Sequence, residues 1–158
     1  MDSLTPHERS ERMSRIRGKD TAPEMALRRA LHAMGFRYRL HARGLPGRPD
    51  LTFPSRHAVV FVHGCFWHHH EGCRIATVPR SNTSFWQAKF TTNRARDEAA
   101  VQRLRELGWR VWVVWECQLA TRAQVASSAE QVALFLRNFS DVGLGGQMTS
   151  ATRTHREG

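Results

Sequence analysis

The sequence predicts a single mixed α/β domain, and three observations carry that prediction. A capped helical segment opens at Thr21, two short β-prone runs follow a Gly/Pro-rich turn, and a long helical stretch leads into the most β-prone run of the chain, residues 109–115. At 158 residues the chain can bury one substantial core. There are no repeats and no internal boundary, so one domain over 1–139 and a tail over 140–158 is expected.

Residues 5–17 are polar and charged, with Met13 and Ile16 spaced like a short helix face. Thr21-Ala22-Pro23-Glu24 is a capping box with proline in the first turn, and Gly35 stops that helix after Met34. Residues 36–40 alternate apolar and polar, as in a half-exposed strand. Residues 44–49, rich in Gly and Pro, form a turn. Residues 50–53 and 58–62 then read as a strand pair joined by residues 54–57. Residues 84–107 read as helix, in one piece or two, ended by Gly108. Residues 109–115, with three tryptophans and three valines, predict a central strand, and 121–138 a last helix. The Gly/Ser/Thr-rich tail is expected to be disordered.

The formal charge of +10 favours a polyanionic partner. All cationic side chains except Lys19 and Lys89 are arginine, a residue suited to bidentate recognition of phosphates and guanines. A GC-rich genome would give the same ratio without removing the net charge. No basic amphipathic helix with a long apolar face and no membrane-length apolar run is present, so nucleic acid is favoured over a membrane. Three cysteines and no N-terminal apolar run argue against a secreted disulfide framework and for a cytoplasmic protein.

The densest chemistry lies in His63-Gly64-Cys65-Phe66-Trp67-His68-His69-His70-Glu71-Gly72-Cys73. Cys65, a histidine and Cys73 supply three soft or borderline ligands, and Cys117, just after the last predicted strand, can close a tetrahedral Cys3His zinc site. Spacing alone permits either His70 or His69. A closed four-ligand zinc has no open position, so it would staple the loop and leave catalysis to other residues.

Hydrolysis needs other groups. Asp50 opens a strand facing the end of the next one, where a carboxylate can hold a hard cation such as Mg²⁺ with backbone carbonyls and water completing the shell. An ordinary turn aspartate would look the same. His68 lies outside the best zinc spacing and is free to act as a base, unless it is a spare or zinc-bound histidine. Asp97 sits in the long helix among Arg94, Arg96 and Arg103; it could orient a histidine, although spacing alone favours pairing with arginine. Glu24 already has a role in the capping box. Phe66 and Trp67 adjoin these groups, and Phe85-Trp86 begin the next helix; exposed aromatics beside an active loop can enter a base stack. Core packing is the alternative for all four, and the expected one for Phe85, as for Trp109, Trp112 and Trp115.

Gly47-Arg48-Pro49-Asp50, the run from Phe61 through Cys65-Phe66-Trp67-His68-His69-His70, Phe85-Trp86, and the segment from Leu107 to Trp115-Glu116-Cys117 resemble the very short patch repair DNA mismatch endonucleases. The resemblance is collinear from about residue 10 to 138. It implies a restriction-endonuclease-like fold, a central mixed sheet flanked by helices, a structural Zn²⁺ and a catalytic Mg²⁺. It further implies nicking of DNA 5′ of the thymine in T·G mismatches that arise by deamination of 5-methylcytosine. On this resemblance Asp50 and the backbone carbonyl of Val62 hold Mg²⁺. His68 is the base, supported by His63, Asp97 and Glu24. Cys65, His70, Cys73 and Cys117 hold zinc, and Phe66, Trp67 and Trp86 form a wedge at the mismatch. The partner is mismatched duplex DNA, contacted also by an N-terminal arm over 1–20, in a monomer working at the bacterial nucleoid, with other repair proteins as further partners.

The chain departs from the family pattern in two places. Glu71-Gly72 lengthens the spacing between His70 and Cys73, and Val62 stands where a threonine is expected. Two rival readings share the basic surface: a zinc-stapled DNA-binding module without catalysis, and a restriction-type nickase that ignores mismatches.

Overall fold

The computed structural model describes residues 20–138 together with Thr5 and His7. Apart from Thr5, His7 and Asp20, the expectations for the N-terminal arm, and all of those for the tail 140–158, lie outside the described residues. No helix is long and apolar enough to cross a membrane among the described residues.

Helix α1 (Ala22–Ala33) is capped by Thr21, whose side chain accepts from the Glu24 N–H at 3.4 Å. The reciprocal half of the expected capping box is not made. The Glu24 carboxylate turns inward, accepting from Arg28 at 3.1 Å and lying 3.1 Å from His41 Nε2. Two stronger polar partners outcompete one backbone N–H at the exposed end of the helix. Strands β1 (Arg39–Leu40) and β2 (Leu51–Phe53) follow, then a 3-10 turn at Pro54–Arg56 and β3 (Ala58–His63). A single helix, α2 (Thr83–Glu106), crosses to β4 (Arg110–Trp115); a 3-10 turn at Glu116–Leu119 leads to α3 (Arg122–Arg137). The box Thr121/Gln124 at the start of α3 closes in both directions.

The sheet order is β1-β2-β3-β4, antiparallel for the first two pairings and parallel between β3 and β4. The helical crossover is what a parallel pair requires. Residues 109–115 were expected to form a central strand, but β4 lies at the edge among the described residues, and β2 and β3 are the interior strands. The physical reason is that β-propensity reports how well side chains fit a pleated surface, not how many neighbours a strand has. The nearly continuous apolar burial of β3 is the true signature of a strand covered on both faces.

Alternation along β3 divides the core. Ala58 and Val60 face Leu27 and Leu31 of α1 and Val132 and Leu136 of α3. Val59 and Phe61 face Leu104 of α2. His63, two residues beyond Phe61, therefore emerges on the α2 side, where the chemistry gathers.

Candidate active site and metal centre

The loop after β3 is a compact set of turns. His68, His69 and His70 N–H groups donate to the carbonyls of Gly64, Phe66 and Cys65 at 3.1, 3.2 and 2.9 Å. His69 has a φ of +47°, and this left-handed residue sends the three consecutive rings to three destinations. His68 meets Asp97 on α2, His69 stacks on Phe90, and His70 stacks on Trp115 at 4.1 Å.

His70 thereby joins the cysteines. Its Nδ1 lies 3.8 Å from Cys65 Sγ and 3.5 Å from Cys117 Sγ, and the ligand atoms of Cys65, His70, Cys73 and Cys117 all lie within 4.8 Å of one another. Zn–S and Zn–N bonds meeting at a tetrahedral angle put sulfur and nitrogen about 3.6 Å apart, so the donor set fits zinc in chemistry and in spacing. Burial pushes the Cys65 thiol up to about 12, leaving it protonated unless a cation takes the proton's place. The lengthened His70–Cys73 spacing is absorbed by a turn in which the Cys73 N–H donates to the His70 carbonyl at 3.2 Å, with Gly72 at φ +72°. Glu116, which sequence reasoning did not single out, braces the site by accepting from the Cys65 N–H at 3.0 Å. Its only signal was adjacency to Cys117.

Asp50 lies just before β2 begins. Its Oδ2 accepts from the Val62 N–H at 2.7 Å. The β2/β3 register pairs Leu51 with Val60, so two residues further on Pro49 stands opposite Val62. A strand residue's N–H and C=O lie on the same edge, and a proline has no N–H with which to answer the Val62 carbonyl. A carboxylate and a carbonyl without that ladder partner thus face one spot, a hard-oxygen pair suited to Mg²⁺. The Val62 side chain packs against the main core, so an apolar residue suits this position. Burial raises Asp50 to about 7, opposed by the Val62 N–H and reinforced by the neighbouring Glu24 carboxylate.

His68 Nδ1 sits 2.5 Å from Asp97 Oδ2, so spacing misled on Asp97, whose carboxylate meets a histidine and not an arginine. His63 lies beneath, its ring parallel to His68 at 3.9 Å. Burial, then the neighbouring His68, lower His63 to about 4, so it is neutral at pH 7. His63, His68 and Asp97 have the ligand types of a metal trio. Parallel stacked rings, however, cannot both aim in-plane lone pairs at one ion, which favours acid–base work here. A cavity of about 370 Å³ joins Asp50, His63, His68 and Asp97 with the cations Arg48 and Arg96. A larger one of about 510 Å³ shares His63, His68 and Asp97 but extends toward Arg105 and Trp115, away from Asp50. The smaller cavity is the one that gathers the groups needed for hydrolysis.

Phe66 packs edge-on against Trp67 at 5.2 Å and Trp86 at 5.5 Å. Phe66 and Trp67 are half-buried, whereas Trp86 is only 2% exposed and backs the pair from below. Phe85, expected in the core, is 58% exposed, because consecutive helix positions point about 100° apart and only one can face Phe66. Trp112 packs on the main core and Trp109 on the smaller cluster, but Trp115 serves the site by stacking on His70. Asn93, also missed, donates to the Trp67 carbonyl at 2.8 Å.

Residues 1–74 match the family model described as DNA mismatch endonuclease Vsr. The chain is 51% identical over 119 residues to the Type II nicking enzyme V.XorIIP of Xanthomonas oryzae pv. oryzae, covering 75% of this chain and 87% of that protein. It is 44% identical over 121 residues to the DNA mismatch endonuclease Vsr of Escherichia coli, covering 77% of each. Against the Type II nicking enzyme V.NmeAIP of Neisseria meningitidis it is 42% identical over 122 residues, covering 77% of this chain and 86% of the other.

Proposed function

The chain belongs to the family of Vsr DNA mismatch endonucleases, and on that premise we propose that it is a Mg²⁺-dependent enzyme nicking one strand 5′ of the thymine in a T·G mismatch. The observation that carries this reading is the convergence of Asp50 and the His68–Asp97 pair on one cavity beside the Phe66–Trp67 aromatics.

Asp97 holds His68 Nδ1, which leaves Nε2 as the lone pair that accepts a proton from the attacking water. Asp50 and the Val62 carbonyl would hold Mg²⁺, which when bound stabilises charge on the phosphoryl and leaving oxygens. His63 keeps the His68 ring in plane by stacking, and stays neutral so that it adds no competing positive charge. Burial, reinforced by the Glu24 carboxylate, raises Asp50 to about 7, so a bound cation would favour its charged form. Arg48 and Arg96 attract the phosphate backbone. Cys65, His70, Cys73 and Cys117 would hold a structural Zn²⁺ that fixes the loop carrying His68. Phe66 and Trp67 enter the base stack with Trp86 behind them; a mismatched step costs less to unstack, which supplies the selectivity.

The test supplies matched T·A and mismatched T·G duplexes with and without Mg²⁺ and looks for a single-strand nick. The expected result is a Mg²⁺-dependent nick at T·G, with Trp67→Ala narrowing the difference between the two duplexes. Binding without nicking supports the DNA-binding module instead, and equal nicking of both duplexes supports a nickase without mismatch specificity.

A further inference from the structure

One face of α2 carries Trp86, Phe90, Asn93 and Asp97 at steps of four, three and four residues, and each touches the catalytic loop. Phe90 is the member of this face with no role in the chemistry described above. It is 3% exposed and meets three rings: Phe66 edge-on at 5.3 Å, Trp86 at 5.9 Å, and His69 in a near-parallel stack at 4.5 Å and 16°. His69 Nδ1 is buried with no hydrogen-bond partner among the described residues. Nothing polar fixes that nitrogen, and the stack on Phe90 is what holds the ring. His69 is also the left-handed residue on which the directions of His68 and His70 depend.

We propose that Phe90 is a positioning residue that couples the wedge to the base. Its ring carries a displacement of Phe66 to His69, and so to the adjacent His68. Close packing transmits such a shift because Phe90 is buried and in ring contact with both partners. A second link runs in parallel, since the His69 N–H donates to the Phe66 carbonyl at 3.2 Å. Phe66 and His69 therefore move as a unit. With the wedge seated in an unstacked step, the His68–Asp97 pair seen here keeps its aim at the cavity; on a duplex that does not admit the wedge, the displaced Phe66 spoils that aim. This inference rests on the mismatch-nicking reading above.

The experiment is a double-mutant cycle of Phe90→Leu and His69→Asn. Leucine roughly keeps the apolar volume while removing the ring, and asparagine tolerates the left-handed backbone while removing the stack. Each variant is measured for bound zinc, for T·G duplex affinity without Mg²⁺, and for single-turnover nicking of T·G and T·A duplexes. Zinc content and affinity should stay at the unmutated values. The T·G nicking rate should fall about ten- to a hundredfold, the scale of a small misplacement of a reacting group, with little change at T·A. The double variant should lose no more than the worse single one, as residues sharing one contact do. Should Phe90→Leu fail to retain zinc, His69→Asn alone carries the same expectation for the T·G/T·A ratio. A mismatch-dependent unmutated protein whose His69→Asn variant loses T·G and T·A rates equally, or loses neither, overturns the coupling while leaving the functional reading intact. An unmutated protein that nicks both duplexes alike overturns the functional reading and the coupling with it.

Discussion

The Val62 N–H donates to the Asp50 carboxylate at 2.7 Å, beside a Val62 carbonyl that Pro49, lacking an N–H, cannot answer across the sheet. The bond anchors an acid whose surroundings otherwise resist its charge, since burial and Glu24 raise Asp50 from 3.8 to about 7 in the metal-free protein. Between those two values the folded state binds more protons than the unfolded state. The stabilisation is therefore complete below pH 3.8 and is lost as pH rises through about 7. Metal-free protein should melt at falling temperature from pH 5 to pH 8, Mg²⁺ should restore the loss at the alkaline end, and Mg²⁺ affinity should weaken below pH 7. Asp50→Asn should flatten the pH dependence and abolish nicking. An unchanged slope in that variant, read by thermal denaturation across this range, would refute the linkage.

Asp97 fixes which nitrogen of His68 carries the proton. Asp97→Asn can preserve the contact but offers an amide donor as readily as an acceptor, so the ring can settle in the wrong tautomer. The nicking rate should fall by about three to four orders of magnitude, as when the carboxylate of a comparable pair is neutralised, with duplex affinity unchanged. Single-turnover rates beside binding isotherms make the check. A loss confined to affinity would mean that Asp97 contacts DNA and does not orient His68.

The Cys65–His70–Cys73–Cys117 cluster joins the loop after β3 to the turn after β4. Structural zinc contributes on the order of ten kcal/mol, comparable to the whole stability of a domain this size. Strong chelators or Cys73→Ala should therefore release bound zinc and the folded loop together, seen as loss of metal by elemental analysis and loss of near-UV dichroism from Trp115 and Trp86. A zinc-free Cys73→Ala protein that stays folded and active would overturn the staple.

The parts of this site that were legible in the sequence were those set by local spacing. Cysteine positions and the Asp50 turn could be read without coordinates, as could the helix started by Thr21. The choice between His69 and His70 was open to spacing and made only by the family resemblance, because it depends on a single backbone dihedral at His69. The partner of Asp97 was hidden for a different reason. The inner face of α2 mixes Asn93 and Asp97 with Trp86 and Phe90, so no apolar stripe marks which side is buried. The edge position of β4 was illegible because its tryptophans report side-chain fit and say nothing of neighbours. Glu24 was half legible: its backbone caps as expected, but its carboxylate answers to Arg28, His41 and Asp50, which only the fold brings near.

At Gly47 the Asp50 turn lies tight against the helix carrying Asp97. Its φ is +71°, and a Cβ built there would lie 2.7 Å from Ala100 Cβ and 3.2 Å from the Phe61 ring. Gly47→Ala thus faces two separable costs: roughly 1–2 kcal/mol for a left-handed L-residue, and about 1–3 kcal/mol of overpacking against a neighbour that cannot swing aside. The second cost pushes α2 away from Asp50 and should lower nicking as well as stability. Adding Ala100→Gly removes the colliding methyl but not the backbone strain, and it costs the helix about 1 kcal/mol. The double variant should therefore recover most of the nicking rate of the unmutated protein while regaining at most about 2 kcal/mol of stability, since the relieved overpacking is offset by the glycine placed in the helix. Denaturant midpoints and single-turnover rates on the same samples separate the two effects. A double variant that regains stability but not rate would show that the turn itself, and not the approach of α2, sets the geometry at Asp50.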